Sequence, residues 1–374
     1  MIRVHRLAVL LALTVSVFSG CATLPYSAPL PKELTIKKIG KVDPGAPFAV
    51  SQNGTVATVS GGAVQTITSG TETPQQVADL QATALSFSPS GEQLAVAGGK
   101  ENVLRIYGPQ GKLLGETKVR GRVTALIWRS EKEVLAAAMH VQRYSFGSEL
   151  VTLLHRWNGA GAPATATLSD TTIKKSTAAW PDDVLYGTFA LALSPYGDEI
   201  AYRFLRDPPL FPPYQSLVLR HLESGQQHEL TSIPVSSAGP FFAADGERVV
   251  VGDAMATHWF GVPEGKEQLV IPAPGSSLSA SSSGAYLLMN GQLYRGEQKI
   301  ASFAPDSVGA FLPDGTGLVL GYHGALYLVS GLTDTPPPAP AKDREKLLKL
   351  RRLRSLELIT NEEFKKELAR VPAK

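Results

Sequence analysis

The residues able to do chemistry are few and widely spaced. After His5, six histidines follow at positions 140, 155, 221, 228, 258 and 323, at no spacing that suits a shared metal ion. No glycine-rich phosphate loop, no H-E-x-x-H, no G-x-S-x-G and no cysteine pair is present. The acids Asp182, Asp183 and Asp207 are oxygen ligands of the kind Ca²⁺ takes, but no spaced ligand loop organises them. The sequence therefore asks for no catalytic residue, no metal and no cofactor. What remains is chemistry of contact. Trp180, Tyr186, Phe211 and Tyr214 lie outside the regular apolar runs, beside those three acids. Aromatic anchors flanked by charge suit the docking of a protein or peptide. The competing reading is that these rings fold down onto the protein's own surface and staple their loops.

The elements that must position these residues repeat. An apolar run, a short turn with glycine and a second apolar run recur seven times, at 48–59, 84–97, 125–138, 191–204, 240–252, 278–289 and 310–322. In "SPSG" (88–91) and "SPYG" (194–197), Ser opens a type I turn, Pro presets φ at the second position and Gly fits the fourth. The third copy, "WRSEKEV", lacks the glycine. From Gly54 to Gly315 the turns recur about every 43 residues, the period of a four-stranded blade. A composition of 43% hydrophobic and 18% charged residues, with 35 Gly and 27 Pro, suits an all-β chain of many tight turns.

The stretch "ALSFSPSGEQLAVAGG", followed by "NVLRIYGPQGKLL", resembles a WD-repeat blade, and "ALSPYGDEIAYRF" resembles the related TolB-type repeats. The resemblance spans residues 46–331 and implies a β-propeller. The chain departs from the WD pattern: no Gly-His pair precedes the first strand, and "RIYG" and "RWNG" stand where Trp-Asp would. The hydrogen-bond network of standard WD repeats is therefore not implied. The expected fold class is all-β, a seven-bladed β-propeller over residues 33–332 with a small C-terminal α-helical hairpin. An eighth blade fits only if the long interval after the third hairpin holds one. The last hairpin lacks a fourth strand, and "ELTIKKIG" (33–40) is expected to supply it, closing the ring.

Strand parity then sorts the loops. First-to-second and third-to-fourth strand loops share one face; second-to-third loops and blade connections share the other. The spans 139–149, 169–188 and 206–215 are expected to be long loops clustered on this second face. Long loops in a compact domain are commonly functional.

Both ends of the chain differ from the middle. Arg3, His5 and Arg6 precede the apolar run 7–18, too short to span a bilayer but suited to a signal peptide. "FSGC" resembles the bacterial lipobox, with Phe18 where Leu is usual. That resemblance implies a signal peptide over 1–20, acylation of Cys21, and a tether over 21–32. Cleavage just after Ala22 is the alternative. A residue other than Asp after the cysteine implies outer-membrane sorting, facing the periplasm. Cys21 is the only cysteine, so no intrachain disulfide forms.

At the other end, "TDTPPPAPAKD" (333–343) reads as a stiff linker. In 344–371, Leu347, Leu350 and Leu353 recur at helical spacing, and Thr360 with Glu363 forms a capping box before a second helix carrying Phe364 and Leu368. With Ile359, these residues resemble the SHOCT domain, whose members are regarded as oligomerisation or adaptor elements; Glu357 stands in place of its usual glycine. From Lys342 onward the net charge is +5, so this basic segment is expected to contact a partner, a membrane surface or a second copy through Leu347, Leu350, Leu353 and Phe364. The whole chain at +3 gives no case for nucleic acid. The expectation is a non-enzymatic, lipid-anchored cell-envelope scaffold that binds a protein or peptide partner. The alternatives are a periplasmic hydrolase or lyase, or a small-ligand sensor, using the central funnel.

Overall fold

The computed structural model describes residues 25–26 and 29–334 apart from 69–72, 146, 160–162, 175–189, 207–212, 236, 244–245, 263 and 276, and, in the C-terminal segment, 346, 350, 353–354 and 358–370. Seven antiparallel four-stranded sheets form the seven blades of a β-propeller. In order they occupy 48–78, 82–118, 122–174, 191–233, 238–271, 278–302 and 308–330. The seventh is completed from the N-terminus: strand Thr35–Lys41 pairs antiparallel with Ala325–Ser330, with Thr35 opposite Ser330 and Lys41 opposite Ala325. The ring is thus sealed by hydrogen bonds between the two ends of the domain, as the alternation in 33–40 predicts.

Seven hydrophobic clusters hold the ring, one at each blade interface. The second strands supply most of this core. Leu94–Gly98 is buried throughout, as are Tyr286–Met289 and all but the last residue of Glu199–Arg206. Strands buried on both faces read as continuous apolar runs, which is why these segments lack alternation.

The turns between first and second strands share one construction. The N–H of Gly54, Gly91, Gly197, Gly246, Gly284 and Gly315 donates to the carbonyl three residues earlier. Four of those turns start with a buried serine, Ser51, Ser88, Ser194 and Ser281. Its hydroxyl accepts the backbone N–H of Thr55, Gln93, Glu199 or Tyr286, four or five residues on. Serine therefore does two jobs, opening the turn and satisfying a donor at the start of the next strand.

The third blade departs from expectation. Its second strand runs Glu133–Tyr144, its third Gly147–Trp157 and its outer strand Thr165–Lys174. Residues 139–144, 147–149 and 169–174, expected as loops, are paired strands. The described part of the long interval after the third hairpin holds lengthened strands of the third blade, and the described residues form seven blades.

Candidate docking face

Two neighbouring blades are built taller than the rest. In the third blade the inner strand stops at Arg122, opposite Met139, while the next two continue pairing to Tyr144 and Gly147. In the fourth, the inner strand begins at Leu191, opposite Tyr202, and the next two pair on to Arg206 and Tyr214. Both extensions rise from the face that carries second-to-third loops and blade connections. Met139, Leu150, Phe204 and Leu205 are buried in the cluster between these blades, with Val141 packed against it.

Within the fourth blade's extension, Arg203 is 3% exposed. It donates to Gln215 Oε1 at 3.0 Å and to the Ser237 carbonyl. Burial pushes its pKa down to about 10, so it remains a cation at neutral pH. Arg206 is exposed; its guanidinium lies 4.4 Å from the Phe204 ring centroid and donates to Ser216 Oγ at 3.2 Å. At the tip of the third blade, the half-exposed Tyr144 donates its hydroxyl to Glu149 Oε2 at 2.8 Å, and this bond holds the phenol above its ordinary pKa.

Of the residues singled out from sequence, Trp180, Asp182, Asp183, Tyr186 and Phe211 lie outside the described residues, as do Cys21 and Leu347. Tyr214 opens its strand opposite Arg206 and is half-buried. The described strands that border these segments, ending at Lys174 and Arg206 and beginning at Tyr214, do so at the raised end of these two blades.

Sequence reasoning missed a concavity of about 690 Å³ on the same face, between the seventh and first blades. Phe48, Val308 and Tyr322 line it with His323, Asp306 and the 42–47 connection. The His323 ring stacks on Tyr322 at 4.1 Å, and its Nε2 lies 3.1 Å from Asp306 Oδ2. His323 and Gly324 have φ of 44° and 75° in a two-residue hairpin loop. Such loops demand left-handed residues, and "HG" is the faint signal that fixes the ring here. Asp43 accepts the N–H groups of Gly62 and Gly61, which lower its pKa. A second concavity of about 290 Å³ lies beside His258. That ring bridges Glu267 at 2.6 Å and Asp253 at 3.2 Å. Burial works to raise the pKa of Asp253, but the N–H groups of Met255 and Ala256 and the neighbouring His258 outweigh it and hold it low. Among the described residues, no group of three or more His, Cys, Asp or Glu is arranged to hold a metal ion.

The opposite face, bearing the serine turns, carries the C-terminal segment. The linker begins over blades seven and six: the Asp334 N–H donates to the Gly315 carbonyl, and its carboxylate accepts from Ser283 Oγ at 2.5 Å. The segment then reaches blade five, where Arg354 Nη1 sits 3.3 Å from Glu247 Oε2. The helix Asn361–Leu368 has the expected capping box on Thr360 and Glu363. Lys346, Leu350, Leu353 and Arg354 are also helical. Leu350 and Phe364, expected to meet a partner, are 7% and 1% exposed, and Leu353 is half-buried. Phe364 is covered by the Arg354 guanidinium, which also pairs with Glu247 of blade five.

No family model and no curated protein matches the sequence. The lipobox, WD-repeat and SHOCT resemblances therefore rest on the residues alone. Among solved structures, Kuenenia stuttgartiensis hydrazine synthase is similar at 13% identity and TM-score 0.55, over 81% of this chain and 97% of that one. A chain of a mitotic checkpoint complex is similar at 13% identity and TM-score 0.57, over 82% and 98%. The chain has the fold of a seven-bladed β-propeller.

Proposed function

We propose that this protein is a non-enzymatic scaffold of the cell envelope, lipid-anchored at Cys21, which docks a protein or peptide partner on the raised face of blades three and four. The observation carrying this reading is the lengthening of two adjacent blades on one face. Each extension costs backbone entropy, about 1–2 kcal/mol per ordered residue, and the seven-membered ring closes without it. Extended strands with a buried Arg203 beneath them make a rigid platform, and rigid platforms lower the entropic cost of binding. Tyr214 stands at this sector, opposite Arg206, and Trp180, Tyr186 and Phe211 are assigned here to the same docking patch. A similar fold in a mitotic checkpoint complex is consistent with a scaffold, and one in a hydrazine synthase shows that fold alone does not decide.

The concavity beside His323 favours a second reading, a small-ligand sensor at the funnel mouth, because its volume falls in the range of small-molecule sites. One experiment separates the two. Replacing 207–212 with a short Gly-Ser link should abolish co-purification of a crosslinked partner and leave small-ligand binding at His323 intact. Retention of the partner would refute the docking reading.

A further inference from the structure

The chain enters the propeller at the loop-bearing face. The Pro25 carbonyl accepts the Ala304 N–H at 2.8 Å, and Tyr26 forms an antiparallel bridge with Phe303. Phe303 and Ala304 directly follow the outer strand of blade six, Gln298–Ser302, where the chain crosses to blade seven. From Pro25 the chain descends beside blades six and seven, with Leu30 and Leu34 packed into the core between them, to Thr35 at the opposite face. Pro25 is therefore pinned to the loop-bearing rim.

Cys21 lies four residues before Pro25. A fully extended chain spans at most about 3.6 Å per residue, so the reach is about 14 Å. A typical strand alone is about 17–20 Å long. A lipid on Cys21 would therefore be held near the loop-bearing rim and would not reach the serine-turn face.

The rim around this tether is suited to lipid. Met255, at the second-to-third loop of blade five, is 80% exposed. Val270 near the same end of that blade and Val308 at the start of blade seven are 42% and 46% exposed. These blades flank the tether on both sides. Carboxylates near that rim are engaged rather than bare: Asp253 with backbone N–H groups and His258, Asp306 with His323, Asp43 with Gly61 and Gly62. The exposed Lys41 stands at the same rim.

We infer that the loop-bearing face of blades five to seven rests on the lipid surface in which Cys21 is anchored, with Met255 at the boundary between headgroups and acyl chains. This rests on the reading of Cys21 as acylated. A partner docked on blades three and four is then held beside the membrane as well.

The test uses the acylated full chain in vesicles of phosphatidylethanolamine and phosphatidylglycerol carrying a headgroup quencher. Once Cys21 is acylated, a cysteine introduced by Met255→Cys is the one free thiol and takes a fluorophore uniquely; Glu92→Cys, on the serine-turn face of blade two, is the reference. Quenching several-fold stronger at 255 than at 92 is the expected result. Equal quenching, as for a ring standing on its edge, or stronger quenching at 92 would overturn the orientation while leaving the anchor intact. Mass spectrometry showing an unmodified Cys21 would remove the anchor and the orientation together.

Discussion

The guanidinium of Arg354 lies 4.2 Å above the ring of Phe364, and both side chains are buried, at 7% and 1% exposure. The ring covers one face of the cation while Glu247 of blade five pairs its edge. A cation–π contact that is desolvated contributes about 2 kcal/mol; here it joins the two parts of the C-terminal segment to each other, while the Arg354–Glu247 pair ties them to the propeller. The segment is thereby part of the folded unit.

Removing the ring should release the segment. Truncating a buried Phe costs about 3–5 kcal/mol, more than two short helices hold by themselves. In Phe364→Ala, amides of 358–370 should exchange with solvent rapidly while the blades keep their protection. Unchanged protection over 358–370 would contradict the contact.

Arg203 should govern the raised part of blade four. Arg203→Ala strips the Gln215 side chain and the Ser237 carbonyl of a buried donor. Leaving such groups unpaired should cost about 1–3 kcal/mol each in denaturant titration. Arg203→Lys should recover part of this, since it keeps the charge but not the planar fork. A loss below about 1 kcal/mol for the alanine variant would be the level of a surface pair, and would show that the platform does not depend on this cation.

Closure should be all or none. Deleting 25–41 removes the outer strand of blade seven, and Leu34 and Ile36 from the core beside it. The exposed edge of Ala325–Ser330 then becomes a template for pairing between molecules. Size-exclusion chromatography should show aggregates in place of a monodisperse species. A monodisperse, cooperatively folded deletion variant would refute the seal.

Stability should fall in two stages on acidification. Burial holds the pKa of His155 below its ordinary 6.5, so its neutral form is favoured in the fold; its contribution is present above about 6.5 and is lost as pH falls through the lowered value. Glu223 is held below 4.5 chiefly by its bond to Arg129. Its contribution is present above 4.5 and is lost as pH falls through its own lowered value. Urea midpoints across this range should show both stages, and His155→Gln should erase the upper one. A midpoint independent of pH between 7 and 5 in the parent protein would contradict the burial of His155.

The blade count was legible because a glycine-closed turn recurs in six of the seven hairpins, and a serine that both opens the turn and satisfies a strand donor stands at the head of four of them. The closing strand was legible from Ile36 and Ile39, half-buried among exposed lysines, ahead of a last hairpin that lacked its fourth strand. The tall strands of blades three and four were not. Beyond the inner strands, Gln142, Arg143 and Tyr144 are paired through their backbones but only partly buried or exposed, so the apolar signal of a strand is missing although its hydrogen bonds are present. The tail's docking was hidden for another reason. Glu247 and Arg354 are 107 residues apart, and nothing local marks either as the other's partner. The concavity beside His323 draws on three separate stretches, and no single motif spans them.

The central claim is that partners meet the raised face of blades three and four. Photo-crosslinking residues placed in living cells at Tyr144 and Phe211, with Glu92 and Asp314 on the serine-turn face as references, test it directly. A discrete adduct of one protein from 144 and 211, absent from 92 and 314, is the predicted result. Adducts confined to 92 and 314, or none from the raised face, would contradict it.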